Sequence, residues 1–406
     1  PADPEEYLRL PDWVSSEGVV DLRITEELRE VAYLDQTELV VVDVPPGVEV
    51  YNGERWIEGT IDGLDLRLLG PLETPTAVTG NDGSDALGVV AELDDRYLTN
   101  HSGTRLYQGA VQPHRLEIEI PSRIAETGRA ALVLTGWLHW GNTSMNLARA
   151  QDPDGAPIFP YLEVPATGGG WRRVDLDVGL PAGKTKPVVV DLAGVVDAAD
   201  PRVRITTDFE VYWDRIAVAE ALPVPATEHR IHRLAPASAE LYYGGFSRWY
   251  RPAENGPYLF DYSERRPYPW RENDSGARAI AWQEHEGFYT RYGSVRDLVA
   301  EIDDQLAVFG AGEELALSFD VATVPPLPLG WKRTLFLHSE GWEKDGDPNV
   351  ACGQTVGPLP FRGMGEYPCS RSADVQPGAF EPGMRADRWV DRSRLARRVA
   401  AWSEVR

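Results

Sequence analysis

Short runs of β-branched and apolar residues, separated by Gly, Pro and Asp, are the feature that most limits what this chain can fold into. In the middle of the chain these runs recur with turn signals between them and without helical periodicity. They include LEIEIP (116–121), ALVLTGWLHW (131–140), KPVVVDLAG (186–194) and FEVYWDRIAVAEA (209–221). Strands at such spacing predict packed antiparallel sheets. We therefore expect an all-β fold of several jelly-roll-like β-sandwich domains and a short C-terminal helix.

Composition shifts divide the chain into five predicted segments. Leu395, Val399 and Trp402 fall at i, i+4 and i+7, which predicts an amphipathic helix at the C-terminus. The Arg residues of that helix are expected to dock on the acidic sheets of the same chain or on a neighbouring subunit. The segments are a β-rich domain (1–110), a sandwich (111–222), a Pro-rich linker (223–235), a β-rich domain with long loops (236–384) and the helix (385–406).

A short echo links the first and third of these β-rich regions. VVAELDDRYL at 89–98 resembles LVAEIDDQLAV at 298–308. Two related sheets would produce such an echo, although a single match of this length also arises by chance.

Charge and hydropathy narrow the range of partners. The net charge of −24 over 406 residues argues against nucleic acid or an anionic membrane as the main partner. No apolar run reaches the roughly 20 residues that a membrane-spanning helix needs. The chain begins at Pro1 with neither an initiator Met nor a signal peptide, so we expect a processed or excised piece from which any targeting segment has been lost.

The sequence contains no recognisable catalytic constellation, and no catalytic residue is assigned. It lacks a G-x-S-x-G elbow, an H-E-x-x-H helix, a phosphate-binding loop and a C-x-x-C pair. Carboxylate pairs such as Asp94–Asp95 and Asp303–Asp304 are expected in a chain with 64 acidic residues, and we interpret them as solvated surface.

The GWLHW segment at 136–140 is a candidate ligand site. Trp137 or Trp140 could stack on a sugar ring, and Asn142 and Asn146 could bind its hydroxyls from a polar rim. Core packing of these rings is the alternative, because Trp is largely buried in most proteins.

The KDGDPN loop at 344–349 is a candidate calcium site. Asp345, Asp347 and Asn349 have the D-x-D-x-N spacing with which a short loop wraps oxygen ligands around Ca²⁺. An EF-hand is excluded because Val356 stands at the twelfth position, where a Glu is required. A turn capped by Asx side chains without metal is the alternative.

Two cysteines, Cys352 and Cys369, bracket the GQTVGPLPF segment. In an oxidising compartment they could form one bridge that closes this loop, and otherwise they are two free thiols.

Several long motifs carry a family resemblance. ELYYGGFSRWYR, the segment GFYTRYGSVRDLVAEIDDQLAVFG, LPLGWKRTLFLHSEGWEKDGDPN and QTVGPLPFRGMGEYP resemble the C-terminal part of bacterial FG-GAP-repeat proteins of the cartilage-acidic-protein (ASPIC/UnbV) group. The strand VYWDRIAV is similar to the closing strand of galactose-binding and carbohydrate-binding jelly rolls. The resemblance implies a β-rich, secreted or cell-surface protein. The calcium-binding repeats of the FG-GAP propeller are not present in this sequence and imply nothing for it.

These observations favour a non-catalytic module for adhesion, ligand binding or assembly, with a carbohydrate or a protein as its partner. Two alternatives stay open at this point. One is an accessory subunit or domain of a glycan-active or other multi-subunit enzyme, and the other is a structural scaffold of a filament or surface assembly.

Overall fold

The computed structural model describes residues 5–11, 18–53, 63–101, 107–253, 256–267, 285–368 and 388–391. Within these ranges strands dominate and helices are short, which confirms the predicted all-β fold. The helices are α1 (Leu87–Val90), α2 (Ser122–Ala125) and α3 (Thr143–Gln151), with 3₁₀ turns at Val224–Ala226, Arg296–Leu298 and Val321–Thr323. No helix in the described ranges is long and apolar enough to cross a membrane.

Of the strands in the described ranges, which pair in antiparallel fashion, twenty build two sandwiches and four form two separate two-stranded sheets. In chain order they are β1 (Glu5–Arg9), β2 (Val19–Thr25), β3 (Glu30–Val44), β4 (Glu49–Asn52), β5 (Leu66–Leu69), β6 (Ala77–Thr79), β7 (Leu98–Thr99), β8 (Ala110–Glu119), β9 (Ala130–Leu138), β10 (Tyr161–Pro165), β11 (Trp171–Asp177), β12 (Lys186–Asp191), β13 (Arg202–Phe209), β14 (Val211–Leu222), β15 (Arg230–Leu234), β16 (Ser238–Tyr243), β17 (Phe246–Tyr250), β18 (Leu259–Arg266), β19 (Phe288–Thr290), β20 (Gly293–Ser294), β21 (Ala307–Gly310), β22 (Glu313–Asp320), β23 (Lys332–Asp345) and β24 (Trp389–Asp391).

The first sandwich combines strands from before residue 45 with strands from after residue 229. One sheet has the order β1-β23-β3-β15, with β21 also paired to β3, and it faces a sheet of order β2-β22-β16-β20. Leu39, Val41, Leu315 and Phe319 belong to the core between them. Strands that are far apart in sequence, before residue 45 and after residue 229, therefore share one hydrophobic core.

The second sandwich is built from the middle of the chain. A sheet of order β11-β10-β13-β8-β6 faces one of order β12-β9-β14-β5-β4, and β7 pairs with β14. Its core includes Leu116, Ile118, Leu134, Ile216 and Val218. These side chains alternate along β8, β9 and β14, as expected for strands with one face toward a core.

A further apolar layer joins the two sandwiches. Val40, Val42 and Phe336 lie on the outer face of the first sandwich and pack with Val50 and Leu68 of the second. Strand β3 is consequently buried on both faces. This explains why its sequence reads as a continuous apolar run instead of an alternating one.

Strand pairing divides the chain differently from the predicted segments. The boundary at residue 110 falls inside the second sandwich, and the predicted linker 223–235 contains β15, which pairs with β3. The predicted first domain, 1–110, is shared between both sandwiches. The physical reason is that pairing between strands far apart in the chain leaves no mark on the local residue pattern.

The described part of the predicted C-terminal helix is a strand. Residues Trp389–Asp391 form β24 and pair with β19. The prediction of a helix over 385–406 is therefore wrong at these three positions. Arg388 forms an ion pair with Asp297 at 2.7 Å, which docks this point on its own domain. Leu395, Val399 and Trp402 lie outside the described residues, and the helical prediction for them stays a prediction.

The two sandwiches repeat one local arrangement, and the sequence echo belongs to it. Asp214 in β14 accepts the backbone N–H of Asp94, and Asp35 in β3 accepts those of Asp303 and Asp304. Both buried acceptors lie where the pairing register shifts, beside Trp213 in one strand and beside Leu34 in the other. Each D-D loop ends in a residue of positive φ, 61° at Asp95 and 62° at Asp304.

A Gly-Trp pair completes the repeat on the neighbouring strand. Gly136 pairs with Trp213 in the second sandwich, and Gly341 pairs with Leu34 in the first. A Cβ at Gly136 would lie 2.5 Å from the carbonyl oxygen of Tyr212, and one at Gly341 would lie 2.3 Å from that of Tyr33. Glycine is required at both positions because the facing backbone leaves no room for a side chain.

Candidate functional site

The repeat places the two segments singled out in the sequence at equivalent positions. GWLHWGN begins at Gly136 in β9 and leads into α3, while GWEKDGDPN begins at Gly341 in β23 and runs into the loop after that strand. Asn142 caps α3, because its side-chain oxygen accepts the backbone N–H of Met145 at 2.8 Å. Two further backbone N–H groups at the N-terminus of α3 donate to the KDGDPN segment of the first sandwich.

The acidic loop of the first sandwich holds the N-terminus of α3 in the second. Asp345 Oδ2 accepts from the backbone N–H and the hydroxyl of Thr143, at 3.3 and 3.2 Å. Asp347 accepts the backbone N–H of Ser144 at 3.1 Å and its hydroxyl at 2.6 Å. Asn349 Nδ2 donates to the Ser144 hydroxyl at 2.7 Å. The first free N–H groups of the helix therefore find acceptors some 200 residues away in sequence.

Electrostatics favour this contact. Carboxylates are stabilised at a helix N-terminus by the partial positive charge of the unpaired N–H groups. Burial opposes ionisation of Asp347, but hydrogen bonds from Ser144 and Asn349 lower the pKa of its carboxyl below the usual value. The loop is thus a charge-assisted clamp between the sandwiches.

Calcium binding by Asp345, Asp347 and Asn349 stays a prediction. Their carboxylate oxygens already accept hydrogen bonds from α3, and the amide of Asn349 presents its nitrogen, not its oxygen, to Ser144. A Ca²⁺ ion at this loop would compete with the helix for the same oxygens.

A group of carboxylates lies next to the clamp. Ligand oxygens of Glu26, Glu30 and Glu343 lie within 4.8 Å of one another. Burial, together with the charges of Glu343 and Asp345, raises the pKa of Glu30 to about 8. Between the ordinary pKa of 4.5 and the raised pKa of about 8, the folded protein therefore holds a proton at Glu30 that the unfolded chain has released.

We expect the free energy of unfolding to fall by about 1–3 kcal/mol as the pH rises from about 5 to 8, after allowance for the partial exposure of Glu30. The sign follows because the folded state binds more protons than the unfolded state in this window. Urea unfolding at several pH values measures it. Glu30→Gln should flatten the dependence, whereas Glu92→Gln, a change at an exposed glutamate, should leave it as it is; equal slopes in all three proteins would contradict the expectation.

A small cavity opens beside α3. It has a volume of about 200 Å³, and Trp140, Asn146, Arg149 and Phe209 contribute to its lining. The guanidinium of Arg149 lies 5.0 Å from the Phe209 ring centroid and is ion-paired with Asp208. The cavity thus offers an aromatic ring, an amide and a neutralised guanidinium, which suit an uncharged polar ligand.

An aromatic path runs from the cavity to the separate two-stranded hairpin β17–β18. The Trp140 centroid lies 6.3 Å from that of Tyr258, and Tyr258 lies 5.4 Å from Trp249. Tyr250 and Tyr262 on the same hairpin are exposed. The second sandwich therefore presents the cavity, and the hairpin β17–β18 extends it with aromatic surface.

The four residues predicted to bind a ligand have different positions. Trp137 is only 3% exposed and packs against Tyr212, so its ring faces the protein. Trp140 and Asn146 line the cavity, and Asn142 caps α3. Arg149 was not predicted from the sequence. Its position three residues after Asn146, on a helix that Asn142 caps, would have placed it on the same helix face as Asn146.

Other residues of the site carried no local signal. Tyr258 and Phe209 come from strands or loops remote from the GWLHW segment, and only the fold brings them to Trp140 or Arg149. Of the cysteines, Cys352 is exposed with a φ of 56°, and Cys369 lies outside the described residues. The bridge stays a prediction.

Fold and cavity together define an all-β protein of two clamped sandwiches with a small aromatic-lined cavity beside the clamp. No family model and no curated protein matches the chain. Among solved structures, VP17, a capsid protein of bacteriophage P23-77, is similar at 9% identity and a TM-score of 0.11, covering 84% of this chain and 98% of that one. A likeness at this TM-score carries no weight for fold or function.

Proposed function

We propose that the chain is a non-catalytic binding module of an exported protein and that it holds a carbohydrate in the cavity beside α3. The observation that carries the proposal is the meeting of Trp140, Asn146 and Arg149 around one cavity. An aromatic face can stack on the apolar face of a sugar, while amide and guanidinium groups bind its hydroxyls.

The size of the cavity limits the ligand. About 200 Å³ is below the roughly 300–1,000 Å³ of sites for drug-sized molecules, which favours a single sugar unit within the cavity. Among the described lining residues, the guanidinium of Arg149 is neutralised by its pairing with Asp208, which favours a neutral sugar over a sialic or uronic acid. Further units of a glycan would follow the aromatic path toward Tyr258 and Tyr262.

A glycan array followed by titration calorimetry tests this function. We expect Trp140→Ala to weaken binding of the neutral glycan at least about tenfold, because the stacking surface is removed. Trp171→Ala is the matched control, since Trp171 is partly exposed on β11 and packs against Arg204 instead of the cavity. No binding to any neutral glycan, or equal loss in both variants, would contradict the proposal.

A further inference from the structure

A second cluster of polar groups lies on the face of the first sandwich that is covered by the second. On strand β1, Glu5 stands opposite Glu340 and Tyr7 stands opposite His338. On the other side of β23, Glu38 stands opposite His338. Because side chains two residues apart point to the same face of a strand, these groups converge.

His338 is enclosed by carboxylates. It is 3% exposed, and its Nε2 lies 3.0 Å from Glu5 Oε1 while its Nδ1 lies 3.5 Å from Glu38 Oε2. Neither nitrogen has the direction of a hydrogen bond toward an acceptor among the described residues, in spite of these short distances.

Glu340 adds an unsatisfied oxygen. The residue is 1% exposed, its Oε1 is ion-paired with Arg362, and its Oε2 has no hydrogen-bond partner among the described residues. A buried carboxylate oxygen without a donor is costly. Ligand atoms of Glu5, His338 and Glu340 lie within 4.8 Å of one another, so one ion could satisfy all three.

The neighbours hold this geometry in place. The Tyr7 ring stacks on the imidazole at 4.3 Å with an interplanar angle of 7°, and its hydroxyl donates to Glu5 Oε1 at 2.7 Å. Glu38 Oε2 lies 3.5 Å from Nδ1, and a small rotation of the ring would let it accept that N–H and leave Nε2 free for a metal. Arg233 pairs with Glu38 at 2.6 Å and balances its charge.

We propose that Glu5, His338 and Glu340 form a binding site for a divalent transition metal ion. One imidazole and two carboxylates are ligands that Zn²⁺ or Mn²⁺ accepts, whereas Ca²⁺ prefers oxygen ligands alone. Ligand atoms that surround such an ion at about 2.0–2.2 Å lie about 3–3.5 Å apart, which fits the distance from Nε2 to Glu5. The ion clips strand β1 to β23 and so secures the edge of the sheet.

Titration of the full chain with ZnCl₂ at pH 7, after treatment with a chelator, tests the site. We expect one Zn²⁺ ion per chain, a higher unfolding temperature with Zn²⁺, and no comparable effect of Ca²⁺. Glu340→Gln and His338→Gln should each weaken Zn²⁺ binding at least about 100-fold, because loss of a supporting partner alone costs 10–100-fold.

Glu343→Gln is the matched control because it alters the separate group of Glu26, Glu30 and Glu343. Circular dichroism of the metal-free variants shows whether they fold, and Glu340→Gln carries the test if His338→Gln does not. Zinc X-ray absorption of the wild type should show one nitrogen-type ligand among oxygens. No Zn²⁺ binding, or binding that Glu343→Gln abolishes and Glu340→Gln retains, would overturn the proposal.

Discussion

Replacing Gly341 with Ala is expected to lower the free energy of unfolding by at least about 3 kcal/mol, and replacing Gly136 by a similar amount. A Cβ would lie 2.3 Å from Tyr33 O at the first position and 2.5 Å from Tyr212 O at the second. In both cases the obstacle is backbone of the neighbouring strand, which cannot turn aside as a side chain can. Denaturant unfolding of each variant measures the loss.

Gly88→Ala is the control for this pair. Gly88 lies in α1, and a Cβ there would meet nothing within 4 Å. Its unfolding free energy should change by less than about 1 kcal/mol, and an increase is expected because Ala favours a helix. Losses at Gly136 and Gly341 no larger than at Gly88 would contradict the repeated arrangement of the two sandwiches.

Asp347→Ala is expected to reduce stability by about 2–3 kcal/mol through the clamp on α3. The substitution removes acceptors for the backbone N–H and hydroxyl of Ser144. Because the folded-state pKa of Asp347 is lowered, its contribution is complete above the ordinary aspartate pKa and declines as the pH falls through the folded-state value. Unfolding at pH 7 and at about pH 3 measures both effects.

Asp82→Ala provides a matched control for Asp347→Ala. Asp82 also accepts a backbone N–H and a hydroxyl, both from Ser84, but it does so within one exposed turn. Its loss should lower stability far less than the loss of Asp347, because water replaces the exposed acceptor. A double-mutant cycle of Asp347→Ala with Ser144→Ala should give a coupling energy above about 1 kcal/mol. Additive effects would contradict the expectation that this contact stabilises the fold.

The strand runs predicted in the middle of the chain are present because local alternation and turn residues govern them. Strand β9 (Ala130–Leu138) overlaps most of the run at 131–140, and β14 (Val211–Leu222) overlaps most of the run at 209–221. Helix α3 was missed, although Asn142 followed by TSMNLARAQ has the composition of a capped helix. The short length of α3 gave little periodicity to detect.

The candidate site was visible only in parts. Trp140 and Asn146 were selected from their own segment, and the acidic loop was selected for its spacing. Their meeting depends on strand registers between distant segments, which local patterns do not encode. The same holds for the cluster of Glu5, His338 and Glu340, because most of the chain separates Glu5 from the other two, which lie on the adjacent strand.

The order in which the strands are synthesised differs from the order in which they pair. Strand β3 leaves the ribosome early, but its described partners, β15, β21 and β23, all lie beyond residue 229. The second sandwich is complete by residue 222 and can fold while β3 still waits for those partners. Val50 and Leu68 of the folded second sandwich pack against Val40 and Val42 of β3. We therefore expect the second sandwich to cover one apolar face of β3 until the partner strands of β3 have been synthesised.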